Sequence, residues 1–175
     1  ADDISAICII GKYFKSLNLK DVVVVSPDHG GTTRARRLAE ILHAPLAIID
    51  KRRPKPNVAE AMNIIGDVNG KIAIVVDDIV DTAGTLTAGI QMLYDKGATA
   101  VYASCIHGVL SGPAIDRLKA ANLAGFVCTN TIPQDDKAAL YPQMKVLSVG
   151  PVLGQVIKAV EESRPVSEIV AKYAE

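Results

Sequence analysis

The segment Val75-Val76-Asp77-Asp78-Ile79-Val80-Asp81-Thr82-Ala83-Gly84-Thr85 leads from an apolar run through two acids into a turn of small, hydroxyl-bearing residues. That order suits an anion that also carries hydroxyl groups. Backbone N–H groups from Asp81 to Thr85 can wrap a phosphate at the start of a following helix. The hydroxyls of Thr82 and Thr85 add donors, Ala83 is small enough to stay out of the way, and Gly84 lets the backbone come close. Asp77 and Asp78, at the carboxyl end of a strand, stand where they can meet sugar hydroxyls or a hydrated Mg²⁺. The plain alternative is an acidic strand end followed by an ordinary helix cap. It gives no reason for nine contiguous residues, Asp77 to Thr85, to suit one ligand. A Walker A ending and a Gly-x-Gly-x-x-Gly phrase are both absent.

A second strand exit reads Ser26-Pro27-Asp28-His29-Gly30-Gly31-Thr32-Thr33-Arg34. Gly30 and Gly31 free the backbone to approach a ligand, and Thr32 and Thr33 can cap the next helix or donate to a pyrophosphate. Asp28 would hold a metal directly or through water, and His29 could contact phosphate. Alone, the phrase could equally be a tight turn. A third exit, Lys51-Arg52-Arg53-Pro54-Lys55-Pro56-Asn57, packs four cations and two prolines into seven residues with no apolar anchor. Such runs are often solvated faces. Beside two phosphate sites, however, a mobile loop over 51–57 is what phosphoryl-type transfer needs to neutralise charge on closure, with Arg53 forking across phosphate oxygens and Lys51 as a point charge.

These exits need elements that bring them together. Short, β-branched runs recur at Val22 to Ser26, Leu46 to Asp50, Ile72 to Asp77, Ala100 to Ile106, Gly125 to Thr129 and Val146 to Val149. Between them, Thr33 to Leu42, Thr85 to Lys96, Pro113 to Ala121 and Pro151 to Glu162 carry apolar residues at helical steps, and an amphipathic stretch from Ile4 to Leu17 precedes the first strand. Strands apolar at nearly every position are buried on both faces, so the alternation predicts one α/β domain with a parallel sheet covered by helices. In such a sheet the carboxyl ends lie along one edge, and all three exits share a crevice.

With 175 residues and 49% apolar content the chain is sized for a single core. Nineteen basic residues balance nineteen acidic ones, so no global field recruits nucleic acid or an anionic membrane. Cys8, Cys105 and Cys128 lack metal-type spacing and point to a reducing, cytoplasmic setting. No apolar run approaches the roughly 20 residues of a membrane span. His43 is read as structural, at a helix end, and His107 ends a strand at the active edge with no assigned role.

The phrases VVVVSPDHGGTTRAR, APLAIIDKRRPKPNVAEAMNIIGDVNGK, VVDDIVDTAGT, HGVLSGPAIDR and VLSVGPVLGQVI together resemble the ribose-phosphate pyrophosphokinases, or phosphoribosyl pyrophosphate synthetases, across essentially the whole chain. The resemblance implies a three-layer phosphoribosyltransferase-like (type I) α/β fold with a mainly parallel sheet. It also implies Mg²⁺-dependent transfer of the β,γ-diphosphoryl group of ATP to the 1-hydroxyl of ribose 5-phosphate, in homo-oligomers that are dimers or hexamers. By position, Asp81, Thr82, Ala83, Gly84 and Thr85 resemble the family's 5-phosphate loop, and Asp77 and Asp78 the acids facing the ribose hydroxyls. Asp28, His29, Gly30 and Gly31 resemble the pyrophosphate loop, with Asp28 near Mg²⁺, and Lys51 and Arg53 resemble the catalytic cations.

Family members carry two similar domains, and this chain resembles the second. The expectation is therefore a fragment or a short form that needs the other half for turnover. Gly108 stands where the family commonly has proline, and the tail after Ser163 is longer and more charged. Two other readings use the same sugar-phosphate loop: a phosphoribosyltransferase consuming phosphoribosyl pyrophosphate, and a non-catalytic regulatory partner of a synthetase. Substrate choice separates the first, and binding without turnover the second.

Overall fold

The computed structural model describes residues 4–52 and 61–169. Seven strands form one sheet: β1 (Val22–Ser26), β2 (Leu46–Arg52), β3 (Ala61–Ile65), β4 (Ile72–Val80), β5 (Ala100–Gly108), β6 (Gly125–Thr129) and β7 (Met144–Leu147). Their spatial order is β3-β2-β1-β4-β5-β6-β7. Every pairing is parallel except β2 with β3. The parallel, helix-covered arrangement matches the expectation. The antiparallel β3 was not anticipated, because Ala61-Met62-Asn63-Ile64-Ile65 lacks the two-residue alternation that marks a half-buried strand.

Six helices complete the fold: α1 (Ile7–Ser16), α2 (Thr32–Leu42), α3 (Gly84–Asp95), α4 (Ala114–Ala120), α5 (Asp135–Leu140) and α6 (Gly150–Glu161). Alternation along each strand divides the core into two layers. Val24, Ile74, Val76 and Val127 face α1 and α2, meeting Ile7, Ile10, Phe14, Ala35 and Leu38. Val23, Val25, Ala73, Val75, Ala103 and Phe126 face the other way, toward Leu86, Ile90 and Leu93 of α3 and Leu118 of α4. Further differences are the short α5, the two-residue displacement of β7, and β4 and β5 running to Val80 and Gly108, past their expected ends at Asp77 and Ile106, so Asp77 and Asp78 lie within β4 and not at its last residue. Asp135 to Leu140 is too brief to display a helical period.

Cys8, Cys105 and Cys128 are all buried and free. Burial raises the Cys105 thiol well above its ordinary range and lifts Cys128 to about 11, so both behave as small apolar fillers of the core. Among the described residues no helix is long and apolar enough to cross a membrane.

Candidate functional site

Strand order reverses between β1 and β4: from β1 the chain moves outward to β2, then returns to place β4 on the opposite side. At such a switch point the loops leaving neighbouring strands diverge and open a crevice at their carboxyl ends. The 26–31 segment leaves β1 there, and the 81–85 turn leaves β4. A cleft of about 290 Å³ is lined by Asp28, Asp77 and residues 79–86, so the two exits that the sequence singled out do meet.

The 81–85 turn is shaped from beneath. Ala83 holds a left-handed conformation at φ 59° and caps α3 without a side-chain bond, which leaves the first-turn N–H groups of a twelve-residue helix for a ligand. A non-glycine residue in that region is strained and persists only where its surroundings hold it. The segment after β5 supplies that hold. Leu110 and Ser111 donate backbone N–H groups to the carbonyls of Val80 and Asp81 at 3.0 and 3.1 Å. The Ser111 hydroxyl donates to Asp81 Oδ1. Arg117 Nη1, reaching from α4, donates to the Thr82 carbonyl at 2.9 Å. A Cβ on Gly84 would stand 3.2 Å from that same Nη1, a tight contact that the Arg117 guanidinium would have to yield to.

Asp77 and Asp78 are adjacent, so the strand's alternation sends them to opposite faces. Asp77 lines the 290 Å³ cleft. Asp78 lines a second, larger cavity of about 490 Å³ on the α1 side, with His107, Arg37 and Leu153 in its walls. Arg34 of α2 bridges them over the strand end, with Nη2 2.5 Å from Asp78 Oδ2 and Nη1 3.4 Å from Asp77 Oδ1. Burial raises Asp77 from 3.8 to about 6, reinforced by its hydrogen bond with Asp78. Asp78 moves the other way: burial pushes it up, but the bond from Asp77, the Ile79 N–H and the Arg34 charge outweigh this and hold it below its ordinary value. Between about pH 4 and 6 the pair thus carries one ionised carboxylate, and above that range two, with the second held at a cost.

In the 28–31 loop, Asp28 Oδ1 accepts the Gly31 N–H at 2.8 Å and Ser26 donates its hydroxyl to the Asp28 carbonyl at 2.6 Å. A Cβ on Gly31 would lie 3.0 Å from Ser26 Oγ and 3.3 Å from Arg34 Nη1, so glycine lets β1 turn tightly into α2. Thr32 donates its hydroxyl back to the His29 carbonyl at 2.7 Å, fastening the loop to the helix start. His29 is exposed and bonds through Nε2 to Asp50 Oδ1 at 2.9 Å. Gly30 lines the second cavity and Asp28 the first, so the loop borders both.

β2 runs two residues past its expected end, and Lys51 pairs through its backbone with Met62 of β3. The base of the cationic segment is therefore a strand at the same sheet edge, while Arg53 and the rest of 53–57 lie outside the described residues. His107 Nδ1 lies 2.9 Å from Thr131 Oγ1, and His43 ends α2 in the left-handed conformation at φ 50°.

Arg34, Ser111 and Arg117 were not singled out from sequence. Each lies inside a conspicuous phrase, yet its partner is 30 to 44 positions away, a separation that no local pattern encodes. Among the described residues no three His, Cys, Asp or Glu side chains cluster as metal ligands. Asp28 Oδ2 makes no hydrogen bond among them, and with Asp77 it offers hard oxygen donors on one cleft. That suits a divalent ion held by one or two carboxylates plus ligand phosphates.

A family model described as the phosphoribosyl synthetase-associated domain matches residues 51–170. The ribose-phosphate pyrophosphokinase of Bacillus subtilis (strain 168) is 52% identical over 168 residues, covering 95% of this chain and 52% of that protein. Among solved structures, phosphoribosylpyrophosphate synthetase from Mycobacterium smegmatis superimposes with a TM-score of 0.81 and 37% identity, over 90% of this chain and 51% of that one. A purine phosphoribosyltransferase from Pyrococcus horikoshii Ot3 follows at a TM-score of 0.52 and 25% identity, over 70% of this chain and 79% of that one. The chain spans about half the length of the curated relatives it matches. The matched span includes Asp77, Asp78 and the 81–85 turn, and on this match and these relatives the chain belongs to the phosphoribosyl pyrophosphate synthetase, or ribose-phosphate pyrophosphokinase, family.

Proposed function

We propose that this chain provides the ribose 5-phosphate site of an enzyme that transfers the β,γ-diphosphoryl group of ATP to the 1-hydroxyl of ribose 5-phosphate, releasing AMP and phosphoribosyl pyrophosphate. The carrying observation is the cleft that Asp28, Asp77 and the 81–85 turn line together at the β1/β4 switch point.

In this reading the 5-phosphate sits on the N–H groups opening α3, with the Thr82 and Thr85 hydroxyls as further donors, and Asp77 and Asp78 accept from the ribose hydroxyls. The 28–31 loop takes the diphosphoryl group. Asp28, with the substrate phosphates, would hold Mg²⁺, which would supply positive charge against the phosphates. The ribose 1-oxygen forms a bond to the β-phosphorus, the bond from that phosphorus to the oxygen bridging to AMP breaks with its electrons leaving on AMP, and the hydroxyl proton passes to solvent. Lys51 and Arg53 stabilise the charge that shifts onto the phosphates, so the chemistry runs on positioning and electrostatics without a protein nucleophile. The relatives are about twice as long as this chain, and binding of the adenine, assembly into a homo-oligomer and turnover itself draw on that additional half.

Calorimetry and amide hydrogen exchange on the 175-residue chain test the binding half. Ribose 5-phosphate should bind and slow exchange at residues 82–86. Protection elsewhere with none in this turn would defeat the reading. Turnover is to be measured in the full-length protein with ATP and ribose 5-phosphate. Release of pyrophosphate from phosphoribosyl pyrophosphate and a nucleobase, with no synthesis from ATP, would reassign it as a phosphoribosyltransferase.

A further inference from the structure

Asp50 lies near the carboxyl end of β2, immediately before Lys51, and is 5% exposed. A carboxylate that deep is costly unless hydrogen-bonded, and the strand's register with Asn63 is set by the backbone, not by this side chain. Among the groups it holds is the ring of His29, a side chain 63% exposed on the loop 21 positions earlier. With Asp50 ionised, the bond runs from His29 Nε2–H to the carboxylate, which settles the tautomer of the neutral ring and its orientation.

The other side-chain bonds of the 28–31 loop are local: Ser26 to Asp28, Gly31 to Asp28, Thr32 to His29. Among the described residues, His29 to Asp50 is the side-chain bond that ties this loop to a different strand. Two consecutive glycines make the loop costly to order, so a single anchor outside it has a large effect on how often it is closed. We propose that Asp50 is a positioning residue for the diphosphoryl site. Acting through His29, it preorganises the 28–31 loop over the crevice and couples that loop to the strand from which Lys51 and the cationic segment emerge. Its effect on ligand binding rests on the reading of 28–31 as the pyrophosphate loop, whereas its effect on loop order does not.

The test uses the 175-residue chain with Asp50→Ala, Asp50→Asn, His29→Ala and the double variants. In unliganded protein, exchange at the Gly31 amide, which closes on Asp28, should quicken by roughly 10-fold in Asp50→Ala and less in Asp50→Asn, which still accepts from the ring. Magnesium pyrophosphate should bind about 10-fold more weakly to Asp50→Ala while ribose 5-phosphate affinity holds. In the His29→Ala background neither Asp50 substitution should add anything. Unchanged Gly31 exchange, or Asp50 and His29 effects that simply add, would overturn the proposal. Equal loss of both ligands would make Asp50 a structural residue and overturn it too. If wild-type chain binds no pyrophosphate, the functional reading of the loop fails, and the exchange cycle still decides for or against Asp50. Should Asp50→Ala not fold, Asp50→Asn and His29→Ala complete the same cycle.

Discussion

Replacing Asp77 by asparagine should make the unliganded chain more stable at neutral pH, although it removes a charge bonded to Arg34. Asp77 is raised from 3.8 to about 6 by burial first and then by its bond with Asp78. A carboxyl with a higher value in the folded state binds its proton more tightly there than in the unfolded chain. Below about pH 4 it therefore costs folding nothing, and stability falls as pH climbs from about 4 through 6. Two pH units amount to roughly 3 kcal/mol. The Asp77 side chain is 28% exposed, and the proton is shared with Asp78, so solvent screening and coupling reduce this to on the order of 1–2 kcal/mol. Asparagine keeps the shape and an acceptor for Arg34 Nη1, and Arg34 retains its 2.5 Å bond to Asp78. Urea unfolding in Mg²⁺-free buffer at pH 7.5 should move to a higher midpoint by about 0.5–1 M, for a slope of roughly 2 kcal/mol/M, and the gain should vanish at pH 4. The same variant should bind ribose 5-phosphate more weakly. An unchanged or lower midpoint at pH 7.5 would mean that the acid is held for structure, and would refute the argument that the strand end stores a cost recovered on ligand binding.

Arg34→Ala leaves the two acids without their cation, so it should destabilise at pH 7.5 by on the order of 1–3 kcal/mol, with the loss shrinking toward pH 5 as Asp77 takes up its proton; a loss independent of pH in thermal unfolding would speak for packing alone. Arg117→Ala should weaken ribose 5-phosphate by roughly 10-fold in calorimetry by loosening the 81–85 turn. Gly84→Ala should be harmful in wild type and much milder in the Arg117→Ala background, because the added Cβ meets the Arg117 guanidinium; a double-mutant cycle with no coupling would contradict this. In the full-length protein Lys51→Ala and Arg53→Ala should each lower turnover by about 10² or more with little change in stability or ribose 5-phosphate affinity. Lys55→Ala should be milder, and equal losses in all three would reduce the segment to a solvated charge run.

From sequence alone, the β-branched runs and their helical spacers determined that this is a helix-covered, mainly parallel sheet, because burial on both faces imprints itself residue by residue. The 81–85 turn after β4, proposed to hold a phosphate, stood out for the same local reason: acids, small residues and hydroxyls in consecutive order dictate what one stretch of backbone can hold. Tertiary structure decided the rest. Chain order does not say which strands are neighbours, and only the reversal between β1 and β4 brings Asp28 to the cleft of Asp77. Nor does composition say that adjacent acids part to opposite faces and are rejoined by Arg34, since that depends on where α2 ends up. Arg117 and Ser111 fasten the turn, and Asp50 holds His29, across 21 to 35 positions of chain. Such bonds exist only once packing has paid the entropy of bringing distant segments together, which is why the residues proposed to face the ligand could be singled out from the chain and the residues that hold them in place could not.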